Sequence, residues 1–525
     1  MKRCMAVTED YLYIPVNIKG EEKEVCFYCG EQKILEFKIP IMKGTEKIYE
    51  YDYLAPLPIA NYRNQTLTIE IEEGTETNTK EDSGSELFLR AIKEASQEEV
   101  QEKIQKDIQD TDRPRIHFTA YTGWINDPNG LVYQNGCYHM YFQYNPFHVK
   151  WNNMSWGHAV SKDLLHWEQK DTVLFPDKEG MMFSGSAICN EQGLLGLPKD
   201  ALLFFYSVAG GSTTWSREKE FTQKVAYSLD QGAVLIKTER GKLDTICKEN
   251  RDPKVFWHAE SQAYIMTLWL EENDFAILRS VNLENWTLSH RFTLEKAWEC
   301  PDLLQVYAED GSSRWLFWSA DGFYFLGDFD GYQFQTDGIR HEAYFTKVPY
   351  AAQTYAGIKD RIISVPWLRT ENAEKMYTGT MGIPRELSLY REKGQYRLAQ
   401  NPIRELEYKK RKVFDRNPQG EAVRLQKEKI PLLLQTQTEK AADIEWNIYG
   451  NTICYHPQEG TFTVEKEVYE IGKDLKEFSF LIDDDVFEVT ANHGIIVGVM
   501  ELKNRSSVLE VHSSNLSLFD IYEID

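Results

Sequence analysis

The segment AVSKDLLHWEQ (159–169) recurs in degenerate form as AYSLDQGAVLIK (226–237) and RSVNLENWTL (279–288). Each copy opens as a strand and breaks at a polar turn around Ser and an acidic residue or Asn. It then resumes as a strand, often opened by Trp. Ser, Asp and Asn favour such turns because their short side chains accept hydrogen bonds from the backbone amides just ahead. Small β-meanders repeated in this way indicate propeller blades. The copies are too degenerate to give a blade count.

Working outward, residues 115–405 keep the same texture: short apolar–aromatic strands, turns of Gly, Asn and Asp, and little room for helices. Before them, YLYIPVNI, KEVCFYCG, ILEFKIPI and LTIEIEE alternate apolar and polar residues and indicate a small β-sandwich over residues 1–73. The polar run EEGTETNTKEDSGSE (72–86) reads as a linker, and the helical spacing in 85–110 predicts one helix. After residue 405, ADIEWNIYG, TFTVEKEVYEI, FSFLIDDDVFEVTAN, HGIIVGVMEL and LSLFDIYEI predict a second sandwich. The expected class is therefore all-β. An N-terminal β-rich domain with linker and helix spans 1–110, a propeller 111–405 and a C-terminal β-sandwich 406–525. Asp483, Asp484 and Asp485 are read as a turn between strands, because their spacing does not fit a calcium loop.

The 525 residues include 59 Lys and Arg against 82 Asp and Glu, a formal charge of −23. Such a chain repels phosphate backbones and anionic lipid, which argues against nucleic acid and membrane partners. The N-terminus has no apolar signal region and no stretch is long enough for a spanning helix, so the expectation is a soluble cytoplasmic protein, or an extracellular one if a leader has been removed. The eight cysteines are too sparse for a disulfide scaffold, and the Cys26–Cys29 pair lies in a strand pattern without a second pair at zinc spacing.

Three motifs carry chemistry. In WINDPNGLVY (124–133), Pro128 restricts Asp127 to extended backbone and Asn129–Gly130 indicates a tight turn, so Asp127 sits at a strand end facing a funnel mouth. In RDPKVFW (251–257), Arg251 stands beside Asp252 and would hold it ionised. In WECPDLL (298–304), Glu299 lies between Trp298 and Cys300, where desolvation would favour the protonated form that a general acid needs. Each alone also fits a plain turn or a surface acid. Together they are the set that glycoside hydrolysis uses: one carboxylate to attack, one carboxyl to donate a proton, and a third to hold sugar hydroxyls.

WINDPNG, FQYNP (142–146), WGHAVSKDLLHW (156–167), FSGSA (183–187), RDPKV and ECPDL occur in the order found in glycoside hydrolase family 32, which this chain resembles from about 115 to 390. The resemblance implies a five-bladed propeller followed by a sandwich. It implies Asp127 as nucleophile, Glu299 as acid/base and Asp252 as transition-state stabiliser in the release of terminal fructose. It places Trp124, Asn126, Gln143, Trp151, Phe183, Ser184 and Arg251 against the sugar, with Trp367 of SVPW (364–367) at the rim. His158 is read as structural. No metal or organic cofactor is implied, since carboxyls and water suffice. The partners implied are small fructosides or fructo-oligosaccharides, and a homo-oligomer is compatible with them. AYFTKVPYAAQTYAG (343–357) departs from the family form, which puts the leaving group in doubt rather than the reaction. The N-terminal domain is open to three readings: an accessory sandwich against the propeller, a sugar-binding module or an oligomerisation surface. A fructosyltransferase using the same carboxylates and a non-catalytic fructan-binding paralogue are the alternatives.

Overall fold

A computed structural model describes residues 1–42, 49–71, 83–110, 112–372, 374–392, 394–415, 431–503, 509–512 and 516–525. It is all-β, as the sequence patterns indicate, and five sheets, each built on an antiparallel meander, form the propeller. The first strands of the five sheets are Gly123–Gln134, Met181–Cys189, Arg251–His258, Asp302–Tyr307 and Pro349–Thr354. We number the blades one to five in that order.

The recurrent sequence proves to be the connection between the third and fourth strands of blades one to three. Ser161 Oγ accepts from the Leu164 amide (2.8 Å), and Asp163 Oδ1 from those of Leu165 and His166. Ser228 and Asp230 do the same toward Gly232 and Val234, and Asn282 toward Glu284 and Asn285. Blade four keeps the Asx half, with Asp330 Oδ1 accepting from Tyr332 and Gln333, but Asp328 stands where the others have Ser. Blade five turns tightly through Gly394 at φ +84°. The repeat therefore fades because the turn chemistry changes, while the sheets continue.

Aromatic residues fill the seams between blades. Tyr141 meets Phe204 (ring centroids 5.0 Å apart), Phe275 meets Phe317 (5.0 Å), and Tyr138 meets Tyr355 edge-on (5.8 Å). Edge-to-face contacts of this kind add about 0.5–1.5 kcal/mol each beyond the area they bury. The ring closes between blades five and one: the Tyr133 amide donates to the Ala356 carbonyl, the Ala356 amide donates to the Leu131 carbonyl, and Tyr377–Thr378 pairs in parallel with Gly123–Trp124.

The C-terminal sandwich packs a six-stranded sheet on a five-stranded one around Trp446, Phe478 and Phe480. The N-terminal unit pairs strands Lys2–Ala6, Thr66–Ile71, Glu21–Cys29 and Gln32–Ile41 in one sheet. Tyr53–Pro58, Tyr11–Val16 and Lys93–Ala95 form a second. Cys26 is buried within it and all eight cysteines are free thiols. Residues 72–82 of the expected linker lie outside the described residues.

The single helix expected over 85–110 is two helices, Ser83–Ala91 and Gln97–Asp110, separated by the short strand Lys93–Ala95. Ser96 ends the first pattern. Its Oγ accepts from the Glu99 amide (3.2 Å) while Glu99 Oε2 accepts from the Ser96 amide (2.8 Å), a reciprocal capping box that starts a new helix.

Asp483–Asp485 do form a hairpin turn, and they also do more. Asp483 accepts from the backbone amides of Arg115, Ile116 and His117, at the entry to the propeller. His117 lies fully buried between Asp483 (3.0 Å) and Glu488 (3.2 Å), and Glu488 is also paired with Arg385 at 2.5 Å. Burial opposes the charge on both groups, but the carboxylates hold His117 up to about 9, and Arg385 with His117 holds Glu488 down to about 2. The His117 contribution to stability is complete below its ordinary value of 6.5 and is lost as pH rises through 9. That of Glu488 is complete above 4.5 and is lost as pH falls through 2. Breaking one partner of a buried ion pair costs about 3–5 kcal/mol. His117→Leu is expected to lower unfolding free energy by about that amount near pH 6. It should also flatten the fall in stability between pH 6.5 and 9. Urea unfolding of both proteins across that range checks it.

Candidate active site

The first strands of the blades surround the axis, and their upper ends are irregular. Register shifts occur at Asn126–Pro128 and Asn129–Val132 in blade one, Met182–Gly185 in blade two, Arg251–Lys254 in blade three and Tyr350–Gln353 in blade five. A bulge adds a residue without ending the strand and re-aims the side chains beside it. The tight turn expected at Asn129–Gly130 is therefore a bulge inside the continuous strand Gly123–Gln134. Gly130 is needed there for packing as well as for its φ of +50°, since a Cβ would lie 2.9 Å from the Tyr141 ring. In blades three and four the backbone itself turns left-handed, at Asp252 (φ +64°), Glu299 (+49°) and Cys300 (+39°). Such residues cost of order 1–3 kcal/mol each and persist only where surrounding bonds fix them.

Those bonds are present. The Asp252 amide donates to Ser207 Oγ (2.9 Å), and the Cys300 amide donates to Asp252 Oδ2 (3.0 Å). The result is one cavity of about 560 Å³ lined by Asp127, Asp252 and Glu299. Six of the eight other residues singled out in the sequence line it close to these acids: Asn126, Gln143, Phe183, Ser184, Arg251 and Trp367. Trp151, half exposed, stands at its edge. Trp124 is the exception. Its indole N–H donates to Asn126 Oδ1 (2.9 Å) and its ring packs edge-on against Trp367 (5.8 Å), so it backs the wall instead of lining it. His158 is buried in blade one, stacked on Tyr141 and bonded to His139.

The three carboxylates have different surroundings. Asp127 is partly buried, and its desolvation raises its pKa; the Ser184 hydroxyl, donating at 2.7 Å, opposes this, and the charge of Glu299 adds to it. Asp252 is also raised by burial, against the pull of Arg251 and with the push of Glu299 and Asp127. The Cys300 thiol lies 3.7 Å from Asp127 Oδ2 and 3.5 Å from Asp252 Oδ2, and burial pushes it far above its usual range. Glu299 is not in the apolar setting that Trp298 suggested. Arg251 grips one of its oxygens, and the Tyr350 hydroxyl donates to the other at 2.8 Å. Arg251 in turn stacks 4.0 Å above the Trp269 ring, which holds its fork in place.

Sequence reasoning missed Tyr350, Phe221, Glu249 and the Gly210–Gly211–Ser212 wall of the cavity, and Cys300 against Asp127 and Asp252. Cys300 lay inside a motif already singled out. Tyr350 opens the YAAQ segment, but its partner Glu299 lies in another blade, so nothing local marked it.

More than half of the chain, residues 117–402, matches the family model described as the glycosyl hydrolases family 32 N-terminal domain. The chain belongs to this family. Family relatives include the levanase of Bacillus subtilis, 33% identical over 328 residues, covering 56% of this chain and 47% of that protein. The extracellular exo-inulinase of Aspergillus awamori is 36% identical over 268 residues, covering 43% of this chain and 50% of that one. The chain thus spans about half the length of these curated relatives. Among solved structures, the Aspergillus awamori exo-inulinase superposes with a TM-score of 0.70 at 25% identity over 79% of this chain and 98% of that one. A family 32 glycoside hydrolase from Bifidobacterium adolescentis superposes with a TM-score of 0.67 at 19% identity, over 100% and 99%, and so shares the fold of the whole chain.

Beneath the carboxylates the axis of this family 32 propeller is polar. Lys254 of blade three pairs with Asp302 of blade four at 2.9 Å, and both bond Thr354 of blade five. Lys254 and Asp302 are buried. Lys254→Met should leave Asp302 unpaired and cost about 3–5 kcal/mol, read as a fall in the thermal unfolding midpoint with the fold retained in circular dichroism.

Proposed function

We propose that the chain is a retaining, exo-acting β-fructofuranosidase that releases terminal fructose from sucrose, fructo-oligosaccharides or fragments of inulin or levan. One observation carries this reading: three carboxylates from three blades converge on a single cavity large enough for a sugar, each in a different electrostatic setting. The family's levanase and exo-inulinase, and an invertase of Debaryomyces hansenii 35% identical over 284 residues, support fructosides as the substrate class.

Asp127 attacks the anomeric carbon. Ser184 stabilises its anion and fixes the attacking geometry, while burial keeps the carboxylate poorly solvated and therefore reactive. Glu299 protonates the leaving oxygen and then takes a proton from water that attacks the fructosyl–enzyme. Retention requires the two carboxyl groups to lie about 5–5.5 Å apart, and both line the same cavity. Tyr350 and Arg251 orient Glu299 between these steps. Asp252, fixed by the Cys300 amide, holds sugar hydroxyls as positive charge develops on the ring. Phe183 and Trp151, edge-to-face with centroids 6.1 Å apart, present apolar rings to a sugar face.

The test is to incubate the protein with sucrose, kestose, inulin and levan and to measure free fructose. Release from at least one is expected, and release from none overturns the reading. Transfer products at high sucrose would instead mark a fructosyltransferase. Asp127→Asn should lower kcat by at least about 10⁴-fold with the fold intact, since it removes the nucleophile itself. Residual activity within tenfold of wild type would show that another group attacks. Early-time NMR should see β-fructofuranose as the first product; its α anomer would exclude retention.

A further inference from the structure

Two loops form the outer wall of the cavity. Residues 146–154 carry Trp151, and residues 210–216 carry Gly210, Gly211 and Ser212. Neither is held by the propeller alone. Phe147, fully buried, inserts into the core of the N-terminal domain, 4.6 Å from the Phe37 ring, and the Tyr53 hydroxyl donates to the Pro146 carbonyl at 3.2 Å. At the other end of the same loop Asn153, buried and at φ +50°, behaves as an extra strand unit. Its Oδ1 accepts from the Lys38 amide and its Nδ2 donates to the Lys38 carbonyl, both at 2.8 Å. Trp151 therefore stands between two anchors in the N-terminal domain, while Asn145 of the propeller steadies the same loop through the Lys150 carbonyl and Asn153 Nδ2.

The second loop is tied to the same sheet. The Thr214 hydroxyl donates to Glu24 Oε2 at 2.7 Å, and the Trp215 amide donates to Glu36 Oε1 at 3.2 Å. Glu36 is buried, and its other oxygen takes the Lys33 ammonium at 2.8 Å, which fixes the carboxylate facing the loop. Glu24 and Glu36 lie near Cys26 in a group that superficially resembles a metal cluster, but the Lys33 ammonium bonded to Glu36 gives these acids a structural partner.

From this geometry we infer that the N-terminal domain sets substrate length preference: through Asn153 and Glu36 it positions the outer wall, where the saccharide beyond the terminal fructose lies. This rests on the reading of the cavity as a fructoside site. The catalytic carboxylates are held by bonds within the propeller and are independent of these struts. Loosening the wall should therefore weaken binding of the longer substrate and spare the chemical step. Asn153 and Glu36 are positioning residues acting through Trp151 and Ser212.

The experiment uses the full chain. Asn153→Gly keeps the left-handed backbone and removes the amide; Thr214→Val, at an exposed position, removes the Glu24 bond with little risk to folding. Expected is a fall of about tenfold in the ratio of kcat/KM for kestose to that for sucrose, carried by KM for kestose, with kcat on sucrose within twofold. Asn153→Asp, which keeps the acceptor for the Lys38 amide, should restore part of the ratio. An unchanged ratio, or a loss of kcat with KM constant, overturns the inference. A second readout does not need turnover: in protein labelled with 5-fluorotryptophan, the ¹⁹F line assigned through Trp151→Phe should shift and narrow in Asn153→Gly. An unmoved line overturns the strut even if the wild-type protein cleaves no fructoside, whereas a moved line in an inactive protein would sink only the assigned reaction.

Discussion

The buried Lys254–Asp302 pair, shared with Thr354, is the constraint from which the site follows. A propeller blade has no covalent reason to keep register with its neighbour; each is a meander closed on itself. Apolar seams press blades together but are non-directional and tolerate sliding. An ion pair at the axis is directional, and in a low-dielectric interior it is costly to break. Ser186 extends the same role to blade two, donating to the Pro253 carbonyl and accepting from the Val255 amide, and Asn129 accepts from Gly185 between blades one and two. The inner strands are thus pinned in height relative to one another. Only then do carboxylates from blades one, three and four arrive at one level.

That pinning explains where the strain sits. Above the axial bonds the strands are freed from regular pairing, and the bulges and left-handed residues gather at their mouths. An Asp on a regular strand would point along the pleat; Asp252 at φ +64° points across it, because its amide is taken by Ser207 and its carboxylate by the Cys300 amide. The backbone pays a local strain of order 1–3 kcal/mol per residue, which a rigid scaffold can sustain.

The three acids were legible because each lies in a short motif with its own local punctuation, Asp before Pro twice and Glu before Cys-Pro. The propeller was legible through Ser161, Ser228 and Ser280 with their Asx partners, since turn chemistry is written in consecutive residues. The repeats did not give the blade count, which came from the family resemblance alone, because Asp328 and Gly394 make equivalent turns with different residues. Tyr350 could not be read: its meaning depends on Glu299, 51 residues away, and exists only once blades four and five are side by side. Trp124 was assigned to the wrong side of the wall because a Trp beside a catalytic motif suits a sugar face and a backing layer equally well. The break in the helix was written locally, in the Ser96–Glu99 pair, but helical spacing on both sides concealed it.

The flanking domains are held by a different kind of contact from the blades. His117, Arg385, Asp483 and Glu488 bind the C-terminal sandwich to the propeller at the entry of the first blade and the third strand of the fifth. These are the two ends of the ring, the place where a closed sheet circle would open first. The N-terminal domain takes hold mainly of loops, through Phe147, Asn153, Thr214 and Trp215, and bonds one outer strand of blade one, where the Tyr11 hydroxyl donates to Asp171. One attachment secures closure of the ring, the other shapes what stands above it. The inner strand of blade two reaches only the near ends of the rim loops, through the Met181 amide to Ser212 Oγ and the Met182 amide to the Met154 carbonyl, and the N-terminal domain holds the rest.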